Sequence, residues 1–73
     1  MAQRVAIARQ EERDRYINAI DAAERLGVSE RFMRRLVAER RIPFHKLGYH
    51  VRFRVSDLDA FAAAGRVEPW DVA

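Results

Sequence analysis

The spacing of apolar residues changes at Pro43, and that change constrains the fold more than any other feature. Ala22, Ala23 and Leu26, and then Met33, Leu36 and Val37, recur at the three-to-four-residue interval of helices that bury one face. Beyond the proline, Val51, Phe53 and Val55 alternate with Arg52 and Arg54, the period of a strand with one greasy and one cationic face. Proline disfavours a helical conformation at Ile42 and cannot continue the backbone ladder, so the helical run must end near Arg40. Phe44 to Leu47, Gly48-Tyr49-His50 and Val51 to Val55 then read as strand, turn and strand. The chain is therefore expected to be mainly α with a small β-hairpin.

Local signals place the ends of the elements. Asn18 offers an acceptor to a helix N-terminus, Asp21 adds a favourable charge in the first turn, and Gly27 suits the left-handed residue just past a helix end. Ser29 is a good cap for the next helix, whose Met33, Leu36 and Val37 face inward while Arg31, Arg34 and Arg35 face out. The last helix is expected to open at Ser56 with Asp59 three residues on, to bury Leu58 and Phe61, and to close at Gly65. Residues 1–15 show no period that would bury a face and are expected to be a flexible or partly helical arm, a frayed helix or disorder. Residues 16–65 form the domain, and residues 66–73, with Val67, Pro69 and Trp70, form a tail.

With 73 residues and no cysteine there is room for one modest core, held by apolar packing alone. The first residues lack the apolar run of a signal peptide and no stretch approaches membrane-spanning length, so the expected location is the cytoplasm, on the nucleoid when bound, with no membrane partner. Net charge is only +3, but it is segregated. From Arg31 to Arg54 eight cations face one acid, Glu39, a surplus of seven, which leaves a net −4 on the rest of the chain. A basic middle between acidic ends is what a surface for a nucleic-acid groove looks like, the alternative being a merely solvated face.

The spacing Ala23-x3-Gly27-x5-Met33 supplies a small residue at a helix crossing, a turn residue and an apolar anchor, which are the needs of a helix-turn-helix. Ala22, Leu26, Val28 and Leu36 are expected to fill the wedge between the two helices. Together with Tyr16-Ile17-Asn18, Asp21 to Ser29, Arg41-Ile42-Pro43, Leu47-Gly48 and Ser56 to Phe61, this pattern resembles the excisionase family of MerR-like winged helix-turn-helix domains. The resemblance covers about two thirds of the chain and implies a helix-turn-helix, a two-stranded wing and a C-terminal helix. It also implies a recombination directionality factor that binds attachment-site DNA or its integrase and favours prophage or mobile-element excision. Other members of that family act as small transcription regulators. A third reading is a protein-binding modulator of an integrase with little sequence-specific DNA binding. The chain departs from the family at Arg40, where glycine is common, and a left-handed Arg40 costs on the order of 1 kcal/mol. Its wing turn, Tyr49-His50, is aromatic where a smaller or basic residue is common.

In that geometry Ser29, Glu30, Arg31, Arg34 and Arg35 face the major groove, with Arg31 and Arg34 suited to the two acceptors of guanine. Glu30 either accepts from cytosine or complements the helix dipole. Lys46, His50, Arg52 and Arg54 of the wing are expected on phosphates or in the minor groove. One module of this size reads few base pairs, so cooperative self-association on DNA or help from a recombinase is expected. His45 and His50 lie in a hairpin without a third ligand, Ser29 and Ser56 have capping work, and Asp57 and Asp59 suit a helix start. No catalytic residue, metal or cofactor is expected, and the chain is not expected to be an enzyme. Trp70 either folds back onto the core, the favoured reading, or with Val67 contacts a neighbouring copy or the integrase.

Overall fold

The computed structural model describes residues 2–70, and residue 1 of the arm and residues 71–73 of the tail lie outside the described residues. The element order is α1 (Ala2–Arg13), β1 (Tyr16–Ile17), α2 (Ala19–Leu26), α3 (Glu30–Ala38), β2 (His45–Leu47), β3 (His50–Arg54) and α4 (Val55–Ala64). The strands form one antiparallel sheet in the order β1-β3-β2, so the hairpin wing gains a third strand. This mostly helical arrangement is a winged helix-turn-helix.

The two central helices begin and end as their local chemistry directs. Asn18 Oδ1 accepts from Asp21 N at 2.8 Å and Ser29 Oγ from Phe32 N at 3.0 Å, each satisfying a donor that the helix leaves free. Gly27 closes α2 with φ 68°, while Val28 N donates to Ala23 O and Gly27 N to Glu24 O. That six-to-one and five-to-two pair is a Schellman stop, which demands a left-handed residue. α3 ends in the same way, with Arg41 N donating to Leu36 O and Arg40 N to Val37 O. Here the left-handed residue is Arg40, at φ 52°, so the departure singled out in the sequence carries its backbone strain in the structure.

The core draws on every element but α1 and β2. Ile17, Ala22, Ala23, Met33, Leu36, Phe53, Val55 and Leu58 are buried, and Ile42 joins them from the loop before Pro43. Leu26, Val37, Val51 and Phe61 are only partly buried against this cluster, and Val28, expected inside the wedge, is exposed because the turn carries it past the helix crossing. The cap of α4 lies two residues earlier than expected, at Arg54 instead of Ser56. Val55 is fully buried and donates its N–H to Arg15 O at 3.0 Å, so β3 runs directly into the helix; Arg54 takes the cap position without a side-chain bond and Ser56 is left inside the first turn.

The arm is helical over Ala2–Arg13, in keeping with its partly helical reading, and its side chains from Arg4 onward are exposed apart from a half-buried Glu12. Polar links hold it and the segment behind it. Arg25 reaches Glu12 at 3.4 Å while binding Asp59 of α4 through two bonds of 2.9 and 3.1 Å, and Arg54 donates to Asp14 at 2.7 Å. Trp70 does not fold back: it is 77% exposed and Val67 is exposed as well, so no apolar residue among the described residues closes over the tail after Gly65.

Replacing Arg40 by glycine removes the left-handed strain, and the expected gain is up to about 1 kcal/mol, or roughly 4–8 °C in Tm. Arg40→Ala removes the same charge but keeps the strain, and thermal unfolding should show no such gain.

The hydrogen bonds from Arg54 and Arg25 hold the Asp14 and Asp59 carboxyls below their ordinary range. Their contribution is therefore complete above the unfolded pKa of about 3.9 and disappears as pH falls through the lower folded values. Asp14→Asn with Asp59→Asn is expected to lower Tm at neutral pH and to flatten its fall between about pH 5 and pH 2. Parallel acid-induced curves for variant and wild type would contradict this.

Candidate nucleic-acid interface

α3 turns a cationic face to solvent because its apolar residues are spent on the core. Arg31, Arg34 and Arg35 are exposed, and Ser29 is exposed at the start with its oxygen already committed to the cap. Two of the three arginines are paired with acids one turn away. Arg34 binds Glu30 through 2.6 and 3.2 Å contacts, and Arg35 binds Glu39 at 3.0 Å. The bond from Arg35, with Arg41 nearby at 3.5 Å, holds the Glu39 carboxyl below its ordinary range. Arg31 has no acidic partner among the described residues. Such exposed, solvated pairs are weak, so a phosphate or a base can displace either carboxylate at small cost. Glu30 thus sits in the first turn, where it suits the dipole, and also steers Arg34.

The face has two flanks. Arg31 and Arg35 lie together with Ser29 on one side. Glu30 and Arg34 lie on the other, across an open cleft from the hairpin residues Tyr49 and His50, with Asn18 and Ile20 of the α2 start at its border.

The register of the hairpin decides which wing residues can act together. Leu47 pairs with His50, Lys46 with Val51 and His45 with Arg52, leaving only Gly48-Tyr49 as the turn instead of the three residues expected. Residues directly opposite share a face. Lys46 therefore joins Val51 on the core side of the sheet, whereas His50, Arg52 and Arg54 share the outer side with His45 and Leu47. Arg52 donates to Val51 O at 2.8 Å, on a strand edge that the two-residue β1 does not reach. Arg54 lies opposite Tyr16, at the end of the sheet away from the turn, and its bond with Asp14 raises its already high pKa. The structure brings Lys46, His50 and Arg52 to the hairpin but keeps Arg54 at its base, in a structural clasp. His45 packs edge-on against Tyr16, ring centroids 4.9 Å apart. Nothing in the sequence signals that contact, because the two rings meet across β3.

Two features of the candidate interface have no local pattern that assigns them a role. Tyr49 forms the tip of the wing, and the only signal for it was its unusual type at that turn. The α2 start reaches the cleft through tertiary packing, for which no local pattern exists.

Residues 16–66 match the family model of the helix-turn-helix domain, which spans most of the chain, and the protein belongs to that family. No curated protein matches the chain at a significant level. Family, fold and cationic helix together define a helix-turn-helix DNA-binding protein, with DNA as its partner. No helix among the described residues is long and apolar enough to cross a membrane.

Lys46→Ala is expected to weaken binding to all duplexes alike and to reduce the slope of log K against log salt by about 1. Glu30→Gln removes a negative charge and frees Arg34, so non-specific binding should strengthen at low salt. Anisotropy titrations at several salt concentrations check both.

Proposed function

We propose that this protein is a recombination directionality factor of the excisionase type, which binds attachment-site DNA and favours excision over integration. The observation that carries the DNA-binding part is the unobstructed cationic face of α3 beside the hairpin, with Arg34 directed to the cleft between them. The recombination role is supported by the resemblance of the Tyr16 to Phe61 pattern to excisionases. In this reading α3 enters the major groove, Arg31 and Arg34 contact base edges, and Lys46, His50 and Arg52 set the register on the backbone.

The protein acts in the cytoplasm by binding alone, with no catalytic step. A module that reads so few base pairs works alongside further copies or an integrase, and the exposed Val67 and Trp70 offer a contact for that partner.

The test is a titration against an attachment-site library with competitor DNA, followed by excision and integration assays with a site-specific integrase that recombines the selected site. Wild type should select a site and raise excision relative to integration. Arg34→Ala should weaken that binding by about 1–3 kcal/mol and reduce excision in step. Selective binding without any change in excision would point instead to a small transcription regulator. Excision stimulated without selective DNA binding would point to an integrase modulator.

A further inference from the structure

Tyr49 stands at the apex of the β2–β3 hairpin with 98% of its surface exposed. The hairpin does not need an aromatic there. Gly48, at φ 64°, supplies the positive φ of the two-residue turn, and Leu47 and His50 pair directly beneath it, so other residues would close the turn equally well at 49. The same pairing pins the backbone under the ring, and so an apolar plane is held out at a defined position instead of on a loose tail. Tyr49 also borders the cleft that Glu30 and Arg34 line, which makes the ring continuous with the recognition surface of α3. Lys46 and Arg52 flank it from opposite faces of the hairpin.

We propose that Tyr49 is a base-contacting wedge: with α3 in the major groove, the hairpin tip enters the adjacent minor groove, and the phenol ring packs into a base step and partly unstacks it. The inference rests on the DNA-binding reading above but not on the recombination role. A minor groove about 6 Å wide excludes a helix and admits a hairpin tip. Cations on both faces of that tip suit the two phosphate strands that border the groove. An aromatic ring contributes what a lysine at the tip cannot, an apolar contact with the base plane that kinks the duplex. Flexible pyrimidine–purine steps such as TA and CA unstack most easily, so the wedge adds a sequence preference outside the footprint of α3.

The test uses the full chain and a duplex that wild type selects from a random-sequence pool, with 2-aminopurine at successive positions beside the α3 footprint. Tyr49→Ala, Tyr49→Phe and Tyr49→Lys are compared with wild type, thermal unfolding confirming that each is folded. Wild type should raise 2-aminopurine fluorescence at one step and bend the duplex. Tyr49→Phe should keep both effects, whereas Tyr49→Ala should lose both along with about tenfold in affinity. Tyr49→Lys should not restore the fluorescence. Wild-type affinity and fluorescence in Tyr49→Ala would overturn the wedge and leave DNA binding standing. Full recovery of affinity in Tyr49→Lys without unstacking would overturn it in favour of a phosphate contact. A wild-type protein that retains no duplex from the pool would overturn the wedge together with the DNA-binding reading.

Discussion

Phe53, Met33, Leu36, Leu58 and Val55 are withdrawn completely from water, and they come from β3, α3 and α4. Their shared burial locks the wing, the recognition helix and the last helix into one unit. Truncating a buried phenylalanine or leucine costs about 2–5 kcal/mol, while a whole domain has only about 5–15 kcal/mol of net stability. A chain without disulfides has no other large term to replace such a loss. The angle between α3 and the hairpin is thus set by buried side chains and not by the charged residues on the surface.

Around this core the charges perform two kinds of work. Arg25 ties α2 to α4 and reaches α1, and Arg54 ties β3 to the segment before β1; both bind carboxylates distant in sequence and serve the fold. Arg34 and Arg35 bind carboxylates one turn away on their own helix. Local pairs of this kind are weak and solvated, so they hold the recognition arginines in place without committing them. A phosphate or a guanine edge competes with Glu30 or Glu39 on favourable terms, and the carboxylate left behind returns to water.

Arg40 connects the core to the wing. The Schellman stop turns the chain out of α3 and delivers Ile42 to the core, with Pro43 then forbidding a return to helix. Glycine would make that turn without strain. Arginine adds a positive charge between the recognition helix and the wing, and the accompanying backbone cost is small enough for the core to carry.

Both ends of α2 and the start of α3 were legible because each depends on one or two nearby hydrogen bonds: Asn18, Gly27 and Ser29 act within three or four residues of themselves. The helical and alternating periods were legible for the same reason, as was the basic band that gives α3 its cationic outer face. What the sequence by itself determined is therefore the order of the central elements, their buried faces and the location of the positive charge. Tertiary structure alone decided the rest. β1 is two residues long and exists only because β3 pairs with it, and Arg54 is held at the base of the hairpin only because Asp14 comes to meet it. A hairpin turn shorter by one residue moved Lys46 to the opposite face from Arg52, since every one-residue shift in register inverts a strand's faces. These outcomes rest on contacts between segments far apart in the chain, and such contacts are chosen by the packing of the whole core, which no local pattern encodes.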